Sequence, residues 1–318
     1  MKNTVFLNSG KVNFDNQLDY FSLMSITNFT TYMESKADKV LERVKKQNII
    51  ITKELTLDRK LIEKFPSSVE LICEAGTGYN NIDIAAAKEK NILVCNIPTY
   101  SSEAVAQLTI TFLLSLCSSL NKQQDMLSQK NYDNFTKSLT VKHFEVKNKT
   151  LGVIGSGNIA QQVIVLARAF GMKILVNSRS SKTWNDTHIQ SVSLESLLRQ
   201  SDFVTIHCPL TSETKGLINK ERLQLMKNTA FIINTARGSI INETDLIEAL
   251  EAKTISGAAL DVQEQEPPKL DNPLFNMDNV ILTPHIGWKC LESRQRLIDL
   301  LAENIQSFIE GRPINVVS

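Results

Sequence analysis

Two patterns alternate along the chain. Short apolar runs, NIIIT (48–52), VELICEA (69–75) and NILVCN (91–96), are separated by stretches with helical spacing such as 58–65 and 83–90. After a polar segment (121–150) that has neither glycine nor proline, a second series begins: TLGVIG (150–155), KILVN (173–177), DFVTIHC (202–208), AFIINT (230–235), ISGAAL (255–260) and VILTP (280–284). Runs that are apolar throughout predict parallel strands covered by helices on both faces. Two such series predict two α/β units, the second of Rossmann type. Ala104–Leu120, AVAQLTITFLLSLCSSL, carries no charge and nears membrane-spanning length. Gln107 and several threonines and serines dilute it, so it reads as a helix buried between domains. Residues 289–310 read as one amphipathic helix closed by Gly311 and Pro313, whereas residues 1–47 match nothing specific.

Composition narrows the class only a little. The chain has 318 residues, 42% hydrophobic and 22% charged, enough for two domains each with its own core. A formal net charge of +1 gives no broad attraction for nucleic acid or an anionic membrane. Cys73, Cys95, Cys117, Cys208 and Cys290 are scattered and never spaced C-x-x-C, which suits buried thiols in a reducing compartment better than a disulfide framework or zinc site. The N-terminal MKNTVFLNSG has one basic residue and a three-residue apolar run, unlike a signal peptide. The expectation is a cytoplasmic protein with no nucleic-acid or membrane partner.

The first chemical signal is Gly155-Ser156-Gly157-Asn158-Ile159-Ala160, between a strand and a helix whose apolar positions are Ile159, Val163, Leu166 and Phe170. The first glycine allows the tight turn, the second admits a pyrophosphate to the backbone, and the small Ala160 lets helix pack on strand. The phosphates would meet free N–H groups at the positive end of the helix dipole. About twenty residues on, the strand KILVN ends in Asn177-Ser178-Arg179-Ser180, where an NAD-binding chain usually carries an acid. An acid would repel a 2′-phosphate; Ser178 removes that repulsion and Arg179 offers a charged donor. NADP(H) is therefore the preferred cofactor and NAD(H) the alternative, in which N-S-R-S is simply a polar turn.

Four histidines are available for proton transfer. His143 and His188 lie in polar stretches and read as surface residues. His207, followed by Cys208 and Pro209, ends a strand beside the glycine turn and reads as a wall near the adenosine. His285, in LTPHIGW, follows a strand at the carboxyl-end edge, where open α/β sheets place ligands. Arg237 lies just past another strand, with Gly238 allowing a sharp turn, and Asp261 and Glu266 follow a third. An arginine, a glutamate and a histidine at successive strand ends make an acid–base site.

GVIGSGNIA, HCPLTSETKGLI, NTARGSIINETDLIEAL, ALDVQEQEP and LTPHIG occur in an order and spacing that resemble the D-isomer-specific 2-hydroxyacid dehydrogenases, from about residue 48 onward. The resemblance implies a Rossmann cofactor domain (100–286) inserted into a flavodoxin-like substrate domain formed by 1–99 and 287–318, with the active site in the cleft, and a homodimer paired through the cofactor domain. It implies that Arg237 binds substrate, that Glu266 partners the histidine and that His285 donates the proton to the developing alkoxide. Gly76, Thr77 and Gly78 match the loop whose N–H groups hold the substrate carboxylate, and Thr235, Ala236 and Asp261 would lie against the nicotinamide. AGTGYNNID, PTYSSEAVAQ and HIGW resemble the glycerate dehydrogenase/hydroxypyruvate reductase group, whereas serine–arginine at the cofactor strand resembles NADP-using reductases. Ala160, Ser239 and Asn242 depart from the usual glycine, glycine and acid, with little effect expected. The reading is a reductase of hydroxypyruvate or glyoxylate; the alternatives are a bulkier 2-oxo acid, phenylpyruvate-type or branched-chain, or a non-enzymatic dinucleotide-sensing scaffold.

Overall fold

The computed structural model describes residues 1–179, 184 and 186–318. Contacts divide the chain into two units, Met1–Ser101 with Trp288–Ser318, and Ser102–Gly287. Each unit is an α/β layer structure around an all-parallel sheet.

The first unit carries β1 (Asn3–Phe6), β2 (Asn28–Thr31), β3 (Ile49–Thr52), β4 (Leu71–Glu74) and β5 (Leu93–Cys95) in the order β2-β1-β3-β4-β5. That is the doubly wound, flavodoxin-like order. Alternation of side chains splits the strands between two cores. Phe6, Ile49, Ile51, Leu71 and Cys73 face Leu297, Ile298, Leu301 and Ile305 of the helix Leu291–Ile309. Val5, Leu7, Ile50 and Ile72 face Val40, Val44, Ile62 and Ala86. The stretch 1–47 thus supplies two strands that the apolar pattern does not reveal. β1 is an interior strand but only four residues long, with Thr4 buried among its apolar neighbours. β2 is an edge strand, NFTT, largely exposed, so burial imposes no apolar pattern on it.

The second unit carries β6 (Thr150–Ile154), β7 (Lys173–Asn177), β8 (Ile189–Ser191), β9 (Phe203–Ile206), β10 (Phe231–Asn234), β11 (Gly257–Leu260) and β12 (Val280–Leu282). Their order, β12-β11-β10-β9-β6-β7-β8, reverses direction between β6 and β9. A reversal of this kind leaves a crevice at the carboxyl ends of the two central strands.

The uncharged segment runs as a helix from Ser102 to Cys117 and packs in the core of this unit. Ala106, Ile110, Phe112 and Leu113 pack in one cluster with Val153 and Ile174 of the sheet and Ala160 and Val163 of the helix Asn158–Ala169. Ser119 adopts a left-handed conformation, and the next helix, Leu120–Ser128, turns 61° away. Among the described residues no single helix is long and apolar enough to cross a membrane, although this bent pair has the length and composition. The helix after the glycine turn also buries a different face from the one its large residues suggest. Ala160, Val163, Ile164 and Ala167 face the core, while Leu166 and Phe170 are exposed. Small residues win there because helix and sheet approach closely.

Candidate active site

At the end of β6, Gly155 has φ +107° and receives the chain where a side chain could not follow. A Cβ there would stand 2.6 Å from the His207 carbonyl oxygen, at the end of β9. Gly157 is different: a Cβ would meet nothing within 4 Å, so its open side is available to a ligand. It caps the helix Asn158–Ala169 without any side-chain hydrogen bond to the first turn. Ser156, Asn158 and Ile159 complete the turn. Uncapped N–H groups at a helix start and an unfilled backbone face are what a pyrophosphate requires, so the residues present fit a dinucleotide.

β7 ends at Asn177, which is fixed by donation from its Nδ2 to the Val192 carbonyl at 3.0 Å. Ser178 and Arg179 follow, and Ser180 lies outside the described residues. Arg179 is 78% exposed, and its Nη1 is 3.4 Å from Glu213 Oε2, itself largely exposed. So long and solvated a pair contributes little, and Arg179 is available to another anion. Across the switch, His207 Nε2 and Thr205 Oγ1 share a hydrogen bond of 2.9 Å. Burial pushes this imidazole down to about 3, so it is neutral at physiological pH. The same cause pushes the Cys208 thiol up to about 11. Pro209 is exposed, and its carbonyl accepts from Thr214 Oγ1 at 2.6 Å.

The strands β10, β11 and β12 are neighbours, and their carboxyl ends gather the acid–base candidates. Buried Asn234 shapes the first turn: its Oδ1 accepts from Ala236 N (3.0 Å) and its Nδ2 donates to the Arg237 carbonyl (2.9 Å). Thr235 is buried and shares a 3.2 Å hydrogen bond with Thr109. Arg237 Nη1 donates to the Ala236 carbonyl at 2.7 Å, and among the described residues no carboxylate pairs with the guanidinium. Gly238 is not in the left-handed region, so the sharp turn expected of it is not its purpose. Its Cβ would fall 1.9 Å from the Gln263 carbonyl carbon, so the glycine lets the Glu266 loop lie directly on the arginine turn.

That loop is closed by Glu266 Oε1, which accepts from Gln263 N at 3.0 Å, while Glu266 Oε2 lies 2.8 Å from His285 Nδ1. The histidine is three-quarters buried at its side chain and sits at φ +51°. A non-glycine residue in that region costs about 1–2 kcal/mol, and the surroundings here compensate. Asp261, 2% exposed, accepts from Thr283 Oγ1 (2.6 Å) and Ile286 N (2.8 Å) at Oδ1 and from Gly287 N (2.8 Å) at Oδ2. Its carbonyl accepts from His285 N at 2.9 Å. The carboxylate holds the histidine loop from below. The roles of Asn234 and Asp261 are not legible as chemistry in the sequence, because both act on the backbone of their neighbours.

In the first unit, the loop Gly76-Thr77-Gly78 follows β4. The Gly76 carbonyl accepts from Ile97 N (2.9 Å) and the Thr77 carbonyl from Asn96 Nδ2 (2.7 Å). Thr77 Oγ1 donates to the Ile97 carbonyl at 3.0 Å. Among the described residues, no hydrogen bond uses the N–H of Gly76, Thr77 or Gly78. With the carbonyls of Gly76 and Thr77 tied back and the N–H groups spare, the loop suits an anion.

A Rossmann sheet with an open glycine turn, a histidine–glutamate pair and, at a neighbouring strand end, an arginine paired with no carboxylate among the described residues point to a nicotinamide-dependent oxidoreductase. The chain belongs to the D-isomer-specific 2-hydroxyacid dehydrogenases, whose NAD-binding-domain model matches residues 110–287. It is 37% identical over 284 residues to the hydroxypyruvate reductase of Blautia hydrogenotrophica, covering 88% of each chain. To the glyoxylate reductase of Thermococcus litoralis it is 36% identical over 286 residues, covering 88% of this chain and 86% of that one. Among solved structures, an acyclic imino acid reductase in complex with NADPH and D-arginine is similar with a TM-score of 0.88 and 27% identity, over 99% of this chain and 100% of that one.

Proposed function

We propose that the protein is an NADP(H)-preferring 2-hydroxyacid dehydrogenase that reduces a small 2-oxo acid such as hydroxypyruvate or glyoxylate. The observation that carries the reading is the 2.8 Å contact of Glu266 with His285 Nδ1, which leaves Nε2 to serve as proton donor. Glu266 fixes the ring orientation, so that His285 can give a proton to the alkoxide oxygen as it develops. Arg237, paired with no carboxylate among the described residues, clamps the substrate carboxylate and polarises the carbonyl. The spare N–H groups of residues 76–78 suit a substrate carboxylate. When bound, the nicotinamide supplies the hydride. Gly155 to Ile159 receive the pyrophosphate, Ser178 and Arg179 the adenosine phosphate, and Thr235, Ala236 and Asp261 lie on the nicotinamide side.

The NADP(H) preference rests on the missing acid after β7 and on the loosely paired Arg179, and it accords with the NADPH named for the imino acid reductase. The similarity to hydroxypyruvate and glyoxylate reductases supports the small substrate. A cytoplasmic homodimer is the accompanying expectation. The test is oxidation of NADPH and of NADH with hydroxypyruvate, using the wild type and His285→Gln. Turnover favouring NADPH, reduced about 10²–10⁴-fold in the variant, is expected. A preference for NADH refutes the cofactor assignment. Cofactor binding without turnover of any 2-oxo acid, small or bulky, refutes the enzyme reading in favour of a dinucleotide sensor.

A further inference from the structure

Beneath the Gly76–Gly78 loop lies a pair of buried charges that the proposed chemistry does not use. Glu74 ends β4, opposite Thr52 of β3, and Lys53 is the next residue after Thr52. Glu74 is fully buried and the Lys53 side chain is 5% exposed. Asn8 clamps the lysine backbone, donating from Nδ2 to the Lys53 carbonyl (2.5 Å) and accepting its N–H at Oδ1 (2.9 Å). The ammonium lies 2.7 Å from Glu54 Oε1 and 4.3 Å from the centre of the Trp288 ring. A Cβ on Gly76 would stand 3.0 Å from Lys53 Nζ and 3.5 Å from Glu74 Oε1. The glycine therefore brings the loop backbone directly against the cation.

Burying two charges costs several kcal/mol per ion, and apolar residues of the same volume would pack the site as well. What apolar residues could not provide is a fixed positive charge behind three unspent N–H groups. We propose that Lys53 is a positioning residue for the substrate: it backs the Gly76–Gly78 loop and completes its carboxylate site with a buried positive potential, which the half-exposed Glu54 offsets directly and Glu74 offsets further. This rests on the reading that the loop receives the carboxylate of a 2-oxo acid.

The offset depends on pH. Lys53, Glu54 and Asn81 face Glu74, whose neighbour on β4 is the buried Cys73; Glu54, Glu74 and Tyr100 face Lys53. Burial pushes the Glu74 carboxyl up to about 7 against the pull of Lys53 and Asn81. The Lys53 ammonium is destabilised by burial, but its surroundings, the Glu54 and Glu74 carboxylates among them, outweigh this and keep it protonated. Below neutrality Glu74 is uncharged and the loop feels more of the lysine.

Steady-state kinetics of the full-length protein with hydroxypyruvate test the inference. Lys53→Met is expected to raise KM for the 2-oxo acid about tenfold or more, with kcat and the cofactor KM within about threefold of wild type. Because that variant strands a buried acid, Lys53→Met/Glu74→Gln is measured beside it as a charge-free pair. Wild-type KM in the double variant overturns the proposal. Glu74→Gln should abolish the rise in KM between pH 6 and 8, and an unchanged rise overturns the role of Glu74. Oxamate, an unreactive carboxylate, is the second probe. It should raise the melting temperature of the wild type and not of the double variant; equal protection overturns the proposal. A wild type protected by oxamate but silent with every 2-oxo acid refutes the enzyme reading while leaving the carboxylate site supported.

Discussion

Asp261→Asn should destabilise the second unit and misplace His285 at the same time. The carboxylate receives one hydroxyl and two backbone N–H groups at 2.6–2.8 Å, with almost no access to water. An asparagine can keep Thr283 and Ile286 on its oxygen, but its NH₂ then points at the N–H of Gly287. One charge-assisted hydrogen bond is lost, at about 1.5–3 kcal/mol, and a buried donor is left unsatisfied, at about 1–3 kcal/mol more. Allowing for relaxation, a loss of roughly 2–4 kcal/mol is expected, or a fall of roughly 5–15 °C in the unfolding midpoint of a unit of this size. The left-handed backbone of His285 depends on the same anchor, so kcat should fall more than KM for the cofactor rises. Circular dichroism gives the midpoint, and amide hydrogen exchange at Ile286 and Gly287 reports the anchor directly. A variant that melts with the wild type and keeps those amides protected refutes the reasoning.

Gly238→Ala should be worse than an ordinary surface change, because its Cβ would meet backbone rather than a movable side chain, 1.9 Å from the Gln263 carbonyl carbon. Displacement of the Glu266 loop should lower kcat by at least about tenfold, with cofactor affinity retained; wild-type kcat would show that the loop yields freely. Arg179→Ser should raise KM for NADPH about tenfold or more, the worth of one hydrogen bond to a charged group, and leave NADH unchanged; equal effects on both cofactors would remove the 2′-phosphate from the argument. Glu74 makes stability depend on pH. Its carboxyl titrates near 7 in the folded chain against a usual 4.5, so the folded state holds the extra proton between these values. Stability is complete below about 4.5 and declines as pH rises through about 7, by roughly 3 kcal/mol at most. Urea titrations at pH 5 and 8 should show a smaller difference for Glu74→Gln than for the wild type.

Most of the sheet architecture was legible because parallel strands buried on both faces are apolar nearly throughout, as IIIT and FIIN are up to their last residue. β2 escaped for the converse reason: an edge strand of asparagine and threonine owes nothing to a core. The helix after the glycine turn misled in its own way, since Leu166 and Phe170 suggest an inward face that the smaller Ala160 and Ala167 occupy. At the candidate site, residues with distinctive side chains announced themselves. His285, Glu266 and Arg237 stand out by type and by position after strands. Asp261 and Gly238 also stood out by position, but their hold on neighbouring backbone, like that of Asn234, is revealed only by coordinates.

The discontinuous first unit also has a consequence for synthesis. One face of its sheet, with Phe6, Ile49, Ile51 and Leu71, is covered by Leu297, Leu301 and Ile305, nearly the whole chain away. The Asp15–Arg294 ion pair spans the same gap. A ribosome therefore releases the five-stranded sheet long before its cover exists, while the inserted unit has every strand it needs once residue 287 has emerged. The nascent first unit waits with an apolar face uncovered, dependent on chaperones or on speed of elongation. Expression trouble in this chain should therefore track residues on the late helix, and slow translation after the fifth strand and ahead of residue 291 should be more harmful than slow translation within the first strands.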